Sequence, residues 1–103
     1  MTAIITERGF ELATSTPGVL GVTGLLNFNT AAAATQAIES ALSDGSIAQL
    51  DLAGVKQADS AGLSCLVAVM AEAARQGRSL KVIHMPSGMQ ALAKVSEVDQ
   101  LID

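Results

Sequence analysis

Tryptophan and tyrosine are absent from this chain of 103 residues, and phenylalanine occurs twice, at Phe10 and Phe28. Its core must therefore be aliphatic, and stacking on nucleic-acid bases has almost nothing to work with. Basic residues are scarce: six Lys and Arg against ten Asp and Glu give a net charge of −4. They are also scattered, so no basic stripe exists to grip a phosphate backbone, and no nucleic-acid partner is expected. The single cysteine, Cys65, excludes an intrachain disulfide and fits a reducing compartment. One histidine and one cysteine, with no close carboxylate pair on a helix face, make no metal-ligand pattern, and neither metal nor cofactor is expected. The opening MTAIITERGF lacks a basic region and reaches Glu7 and Arg8 too early for a secretory leader. The charge-free stretch from Leu12 to Ile38 is broken by Pro17, glycines and asparagines, so no run reaches the ~20 apolar residues that span a bilayer.

What is present describes a folded domain. Half of the residues are hydrophobic and 16% are charged, a balance that favours a packed core over disorder. The length suits one domain, residues 1–103. GFELATS alternates Phe10, Leu12 and Thr14 on one face of a strand, TPG at Thr16–Gly18 is turn chemistry, and VLGVTGLL from Val19 reads as the second arm of a hairpin. A helix follows, capped by Asn29 or Thr30, with Ala34, Ala37, Ile38, Ala41 and Leu42 at helical spacing and Gly45 as its stop. Residues 47–53, IAQLDLA, form a strand, and a loop of five or six residues leads to the next helix. SLKVIHM from Ser79 reads as another strand. SGMQ after Pro86 has the form of a capping box between Ser87 and Gln90, with Leu92 and Val95 packing inward. VDQLID closes the chain as a turn or partial helix. Strand, strand, helix, strand, helix, strand, helix implies an α/β fold with a small mixed sheet.

The helix in QADSAGLSCLVAVMA is the informative one. It begins at Asp59 or Ser60, and no charge follows until Glu72. Asp or Ser at a helix start satisfies unpaired backbone N–H groups, and a hydroxyl there is also a place where those groups can receive phosphate. Gly62 in the first turn lowers helix propensity, so close backbone approach is its expected reason. Leu63, Leu66, Val67, Met70, Ala71 and Ala74 make the core stripe. That leaves Ala61, Cys65, Ala68 and Val69 on the flanks or the outer side. A helix apolar around most of its girth is either sandwiched or a contact surface. A Ser–His–Asp set can be drawn from Ser60, His84 and Asp51 or Asp59. There is no nucleophile elbow or oxyanion-hole motif to support it, and no enzyme is expected. GVLGVTG lacks the lysine and the strand-then-helix setting of a phosphate loop. His84 is expected at a surface or edge, and Cys65 as a structural thiol.

The stretch from Leu50 to Ile102, with DSAGL opening a helix after a strand and loop, resembles a STAS domain. The resemblance implies a STAS fold, with a four- to five-stranded mixed sheet and helices packed mainly on one side. It implies action through protein contact rather than catalysis, with a site formed by Asp59, Ser60, Ala61, Gly62, Leu63, Ser64 and Cys65. Two branches are open. SAGLSCLVAVMAEAARQG and MPSGMQALAKVSEVDQLI are more similar to the small STAS subunit of the Mla phospholipid ABC transporter of Gram-negative bacteria. That subunit docks on the cytoplasmic ATPase and supports assembly or activity. The location implied is cytoplasmic, peripheral to the inner membrane through the complex, with Ser60 as cap and contact residue. The other branch is the anti-sigma factor antagonists, in which the serine matching Ser60 is phosphorylated by a partner kinase. Ala61 stands where many of those antagonists have a second serine. A ligand-binding STAS domain is a third class, for which the sequence supplies no polar constellation.

Overall fold

The structure, a computed structural model, describes residues 4–7, 9–43 and 45–98. The elements are β1 (Ile4–Glu7), β2 (Phe10–Thr16), β3 (Val19–Leu26), α1 (Ala31–Leu42), β4 (Gln49–Ala58), α2 (Ser60–Arg75), β5 (Lys81–Ile83) and α3 (Ser87–Val95). They build one five-stranded sheet in the order β1-β2-β3-β4-β5. The first three strands are antiparallel neighbours, and β4 and β5 join in parallel through the crossovers α1 and α2. The sheet is thus mixed, as expected. Thr16 pairs with Val19, which leaves Pro17 and Gly18 as the turn. Gly18 has φ of +77°, the left-handed backbone that a proline-led type II turn requires at its third position.

Alternation sorts the two sheet faces. Phe10, Leu12, Leu20, Val22, Leu26, Leu50 and Leu52 are buried under the helices. Glu11 and Thr23, paired across the hairpin, face solvent on the other side. Ala34, Ile38 and Leu42 of α1, Leu63 and Leu66 of α2, and Met89 and Ala93 of α3 complete the core. Arg78 fastens the lower end of this layer: its guanidinium donates to the carbonyls of Leu42 and Ser43 at the end of α1.

Several expectations need correction. Strand β1 lies upstream of the hairpin and adds a fifth strand that the pattern reading did not include. Strand β4 runs on to Ala58, so there is no loop between it and Asp59. Its register with β3 shifts after Gly21 and again after Gly24, and these irregularities hide the strand's far half from a period-two reading. The capping box at Ser87 does not form: Pro86 is the cap residue, and the Gln90 amide reaches the Met85 carbonyl instead. Thr30 is the α1 cap residue by position but makes no side-chain cap bond. Its buried hydroxyl donates to the Leu25 carbonyl and accepts from the Asn27 N–H. Val95 is 83% exposed, while Met89 and Ala93 pack inward in its place. The terminal turn or helix expected beyond Val98 falls outside the described residues.

The stripe expected on α2 also shifts. Cys65 and Val69 are 4% and 1% exposed rather than outer residues, and Ala71 and Ala74 are exposed while Ala73 is buried. The reason is the position of α2 at the centre of the helix layer. Cys65, Val69 and Ala73 lie beside α1, Leu63 and Val67 face the chain that leaves α3, and Leu63 and Leu66 belong to the core above the sheet. A central helix buries three sides. The missing charge is therefore largely a matter of packing, and the exposed remainder is a narrow ridge of Ser60, Ser64, Ala68 and Ala71.

Candidate protein-docking site

The site forms where β3 and β4 end side by side, with Leu26 paired to Ala58. From there β3 turns into α1 and β4 turns into α2. Asp59, in extended backbone geometry, is the cap of α2. Its Oδ1 accepts from the N–H groups of Ala61 and Gly62 at 2.9 and 3.1 Å. Its Oδ2 accepts from the Phe28 N–H at 3.2 Å, on the other turn. One carboxylate thus caps α2 and ties the β3–α1 turn to its start.

Of the two residues expected at the helix start, Asp59 supplies the cap and Ser60 does not. Ser60 is the first helical residue and is exposed. Two of the N–H groups that could receive a phosphate, those of Ala61 and Gly62, are already taken by the Asp59 carboxylate. A phosphate on Ser60 would also stand beside that negative charge.

The seven expected site residues fall into two levels. Asp59, Ser60 and Ser64 are exposed and Ala61 is half-buried. Gly62, Leu63 and Cys65 are buried, so they support the surface from beneath. Gly62 has a specific reason for lacking a side chain: a Cβ there would run into the Leu26 carbonyl. That carbonyl also accepts from the Asp59 N–H at 3.2 Å, so the helix start is pressed onto the strand end. Burial pushes the Cys65 thiol up, while a hydrogen bond with Thr35 across the α1–α2 seam opposes that shift.

Grooves flank the Ser60–Ser64 ridge. One is shallow, lined by Phe28, Ala31, Ala32, Thr35, Ala61, Ser64 and Cys65, with no charged side chain. The other lies between α2 and the chain leaving α3, lined by Ser60, Leu63, Ser64, Val67, Ala68, Ser96 and Val98. Phe28 was missed by sequence reasoning. It is 82% exposed at the tip of the β3–α1 turn, beside Asp59. The available signal was a lone aromatic in the polar run NFNT.

The catalytic set drawn on paper is not assembled. His84 Nδ1 lies 3.0 Å from Asp51 Oδ1, so one pair exists. Asp51, however, sits near the start of β4, and Ser60 follows that strand's far end. The separation is roughly 20 Å at the usual rise per strand residue. His84 has φ of +57° just past the end of β5 and is exposed, as expected of a surface or edge histidine.

Acid should loosen the fold at both ends of β4. Asp59 is held below the usual carboxylate range, first by the Gly62 N–H and then by those of Phe28 and Ala61. Asp51 is lowered first by the Ala53 N–H, with His84 adding to it. A carboxylate whose folded pKa is depressed stabilises above its unfolded pKa, and that stability is lost as pH falls through the folded value. The melting temperature should therefore start to fall as pH drops below about 4. The Asp59→Asn variant, which lacks one of these carboxylates, should lose less. Equal acid slopes for the two chains would place the sensitivity elsewhere.

A mixed sheet under one helix layer, with a loop-and-helix face at the ends of its central strands, defines a small α/β domain built around one exposed turn-helix site. The chain belongs to the STAS domain family: the family model described as "Mlab, STAS domain" matches residues 11–103. Three solved structures are similar in fold. The anti-sigma factor antagonist SpoIIAA in its unphosphorylated form shares 16% identity at a TM-score of 0.61, over 82% of this chain and 81% of that one. The Bacillus cell fate determinant SpoIIAA in its phosphorylated form shares 15% at 0.64, over 91% and 88%. An anti-sigma factor antagonist from Mycobacterium paratuberculosis shares 23% at 0.67, over 99% and 81%. At these identities the likeness is one of fold. No curated protein sequence matches the chain.

Proposed function

We propose that this chain is a non-catalytic STAS subunit of an Mla-type phospholipid ABC transporter. It docks on the transporter's cytoplasmic ATPase through the face around Ser60 and supports assembly or activity of the complex. The observation that carries the reading is the match of residues 11–103 to the family model described by the Mlab name. The uncharged ridge of Ser60, Ser64 and Ala68 between two grooves is a surface suited to protein contact. Among the described residues, no helix is long and apolar enough to cross a membrane. In this reading, contact with the membrane runs through the complex, and the protein is cytoplasmic and peripheral to the inner membrane.

The anti-sigma antagonist reading rests on the solved relatives, one of them described in a phosphorylated form. Against it, Ala61 stands where many of those antagonists have a second serine. Affinity capture from native membranes separates the two. Recovery of an ABC ATPase and permease is the expected result. Recovery of an anti-sigma kinase without the ATPase, together with phosphate mass on Ser60, would overturn it.

A further inference from the structure

Phe28 is exposed, yet the turn that carries it is fastened on every side. Its own N–H donates to Asp59 Oδ2 at 3.2 Å. Asn27 Oδ1 accepts from the N–H groups of Asn29 and Thr30 at 2.9 and 3.2 Å. The buried Thr30 hydroxyl joins the Leu25 carbonyl to the Asn27 N–H at 2.9 Å each. An aromatic side chain on a loose loop loses much of its binding energy to ordering. One on a turn already fixed does not, and aromatic anchors of this kind dominate many interfaces.

We propose that Phe28 is the anchor of the docking face, seated in an uncharged, apolar-walled pocket of the partner protein, and that Asp59 is the positioning residue that presents it. The proposal rests on the docking reading above and names what that surface requires of its partner. The groove beside Phe28 offers Ala31, Ala32, Thr35, Ala61 and Ser64 and no charge. The nearest charge, Asp59, already accepts from three backbone N–H groups, so a charged partner group would gain little there for the water it loses, and the complementary surface is apolar. Asp59 acts through Phe28 because only a carboxylate has two acceptor oxygens. One serves α2 and the other serves the Phe28 turn. Asparagine keeps a helix-capping oxygen but turns an NH2 group toward the Phe28 N–H.

The test measures binding of full-length variants to the purified ATPase subunit of the transporter. Phe28→Ala should weaken binding by about 30-fold or more without lowering the melting temperature. Asp59→Asn should melt close to the parent chain, bind more weakly, and speed hydrogen exchange at the Phe28 amide while leaving that of Leu63 unchanged. Its effect on binding should vanish in the Phe28→Ala background, because the two residues act as one unit. Parent-like binding by Phe28→Ala would overturn the anchor. Fully additive effects with unchanged Phe28 exchange would overturn the role of Asp59. Self-association of the isolated chain that is abolished by Phe28→Ala would assign the residue to a second copy, and so overturn the proposal. Failure of the parent chain to bind the ATPase would sink the transporter reading and this use of Phe28 with it. The exchange measurement needs no partner and decides the Asp59 tie separately.

Discussion

The Gly62→Ala variant is expected to melt roughly 10 °C or more below the parent chain, which corresponds to about 2 kcal/mol in a domain of this size. Alanine would gain about 1 kcal/mol of helix propensity at this position. The added methyl, however, points into the Leu26 carbonyl, a backbone atom that cannot turn aside as a flexible side chain can. Relief requires α2 to lift from the end of β3. That motion also strains the bond from the Asp59 N–H to the same carbonyl. Gly88→Ala is the control. Gly88 lies in the first turn of α3, and a Cβ there meets nothing within 4 Å. That substitution should stabilise by about 0.5–1 kcal/mol. Thermal unfolding of the pair decides the matter: a Gly62→Ala chain as stable as Gly88→Ala would refute the close approach.

Ser60→Glu is expected to weaken partner binding by about 30- to 150-fold, or about 2–3 kcal/mol, while leaving the fold intact. Ser60 is exposed at the head of the uncharged ridge, so the free protein accommodates glutamate in water. In a complex the carboxylate would be desolvated beside the Asp59 charge. Ser60→Ala should bind nearly as well as serine, since the cap belongs to Asp59. Titration calorimetry against the ATPase reads both variants. Equal affinity of Ser60→Glu and the parent chain would remove Ser60 from the interface. In cells, the alanine variant separates the two functional readings again: a transporter subunit keeps working, whereas a phosphorylation-controlled antagonist becomes permanently active.

Much of the fold was legible because its signals are local. The hairpin with its Pro17–Gly18 turn, the helical spacing of Ala34, Ile38 and Leu42, and the acid at position 59 all act within a few residues. What was missed depends on neighbours distant in sequence. The side of α2 carrying Cys65 and Val69 is buried only because α1 lies against it. The far half of β4 reads as a loop because register shifts break the alternation that marks a strand. At the site, Asp59 and Ser60 could be found from the helix start. Phe28 could not, because its place beside them is made by a hydrogen bond across 31 residues. The box expected at Ser87–Gln90 failed for the opposite reason: the local pattern was present, but the helix starts one residue earlier, and Pro86 at the cap position has neither a side-chain oxygen nor an N–H to share.

Every strand in the sheet pairs with its neighbour in the chain, an arrangement that lets structure grow from the N-terminus as the polypeptide is made. The tie between Phe28 and Asp59 reaches across 31 residues, as the neighbouring pairing of Leu26 with Ala58 does. On a ribosome the aromatic side chain emerges well before the acid that fixes its turn. The face around Phe28 and Asp59 is therefore completed only when the β3–α1–β4 unit has closed and α2 has begun. On the docking reading proposed above, a partner that recognises the finished face would ignore nascent and half-folded chains, and the contact would also act as a check on folding.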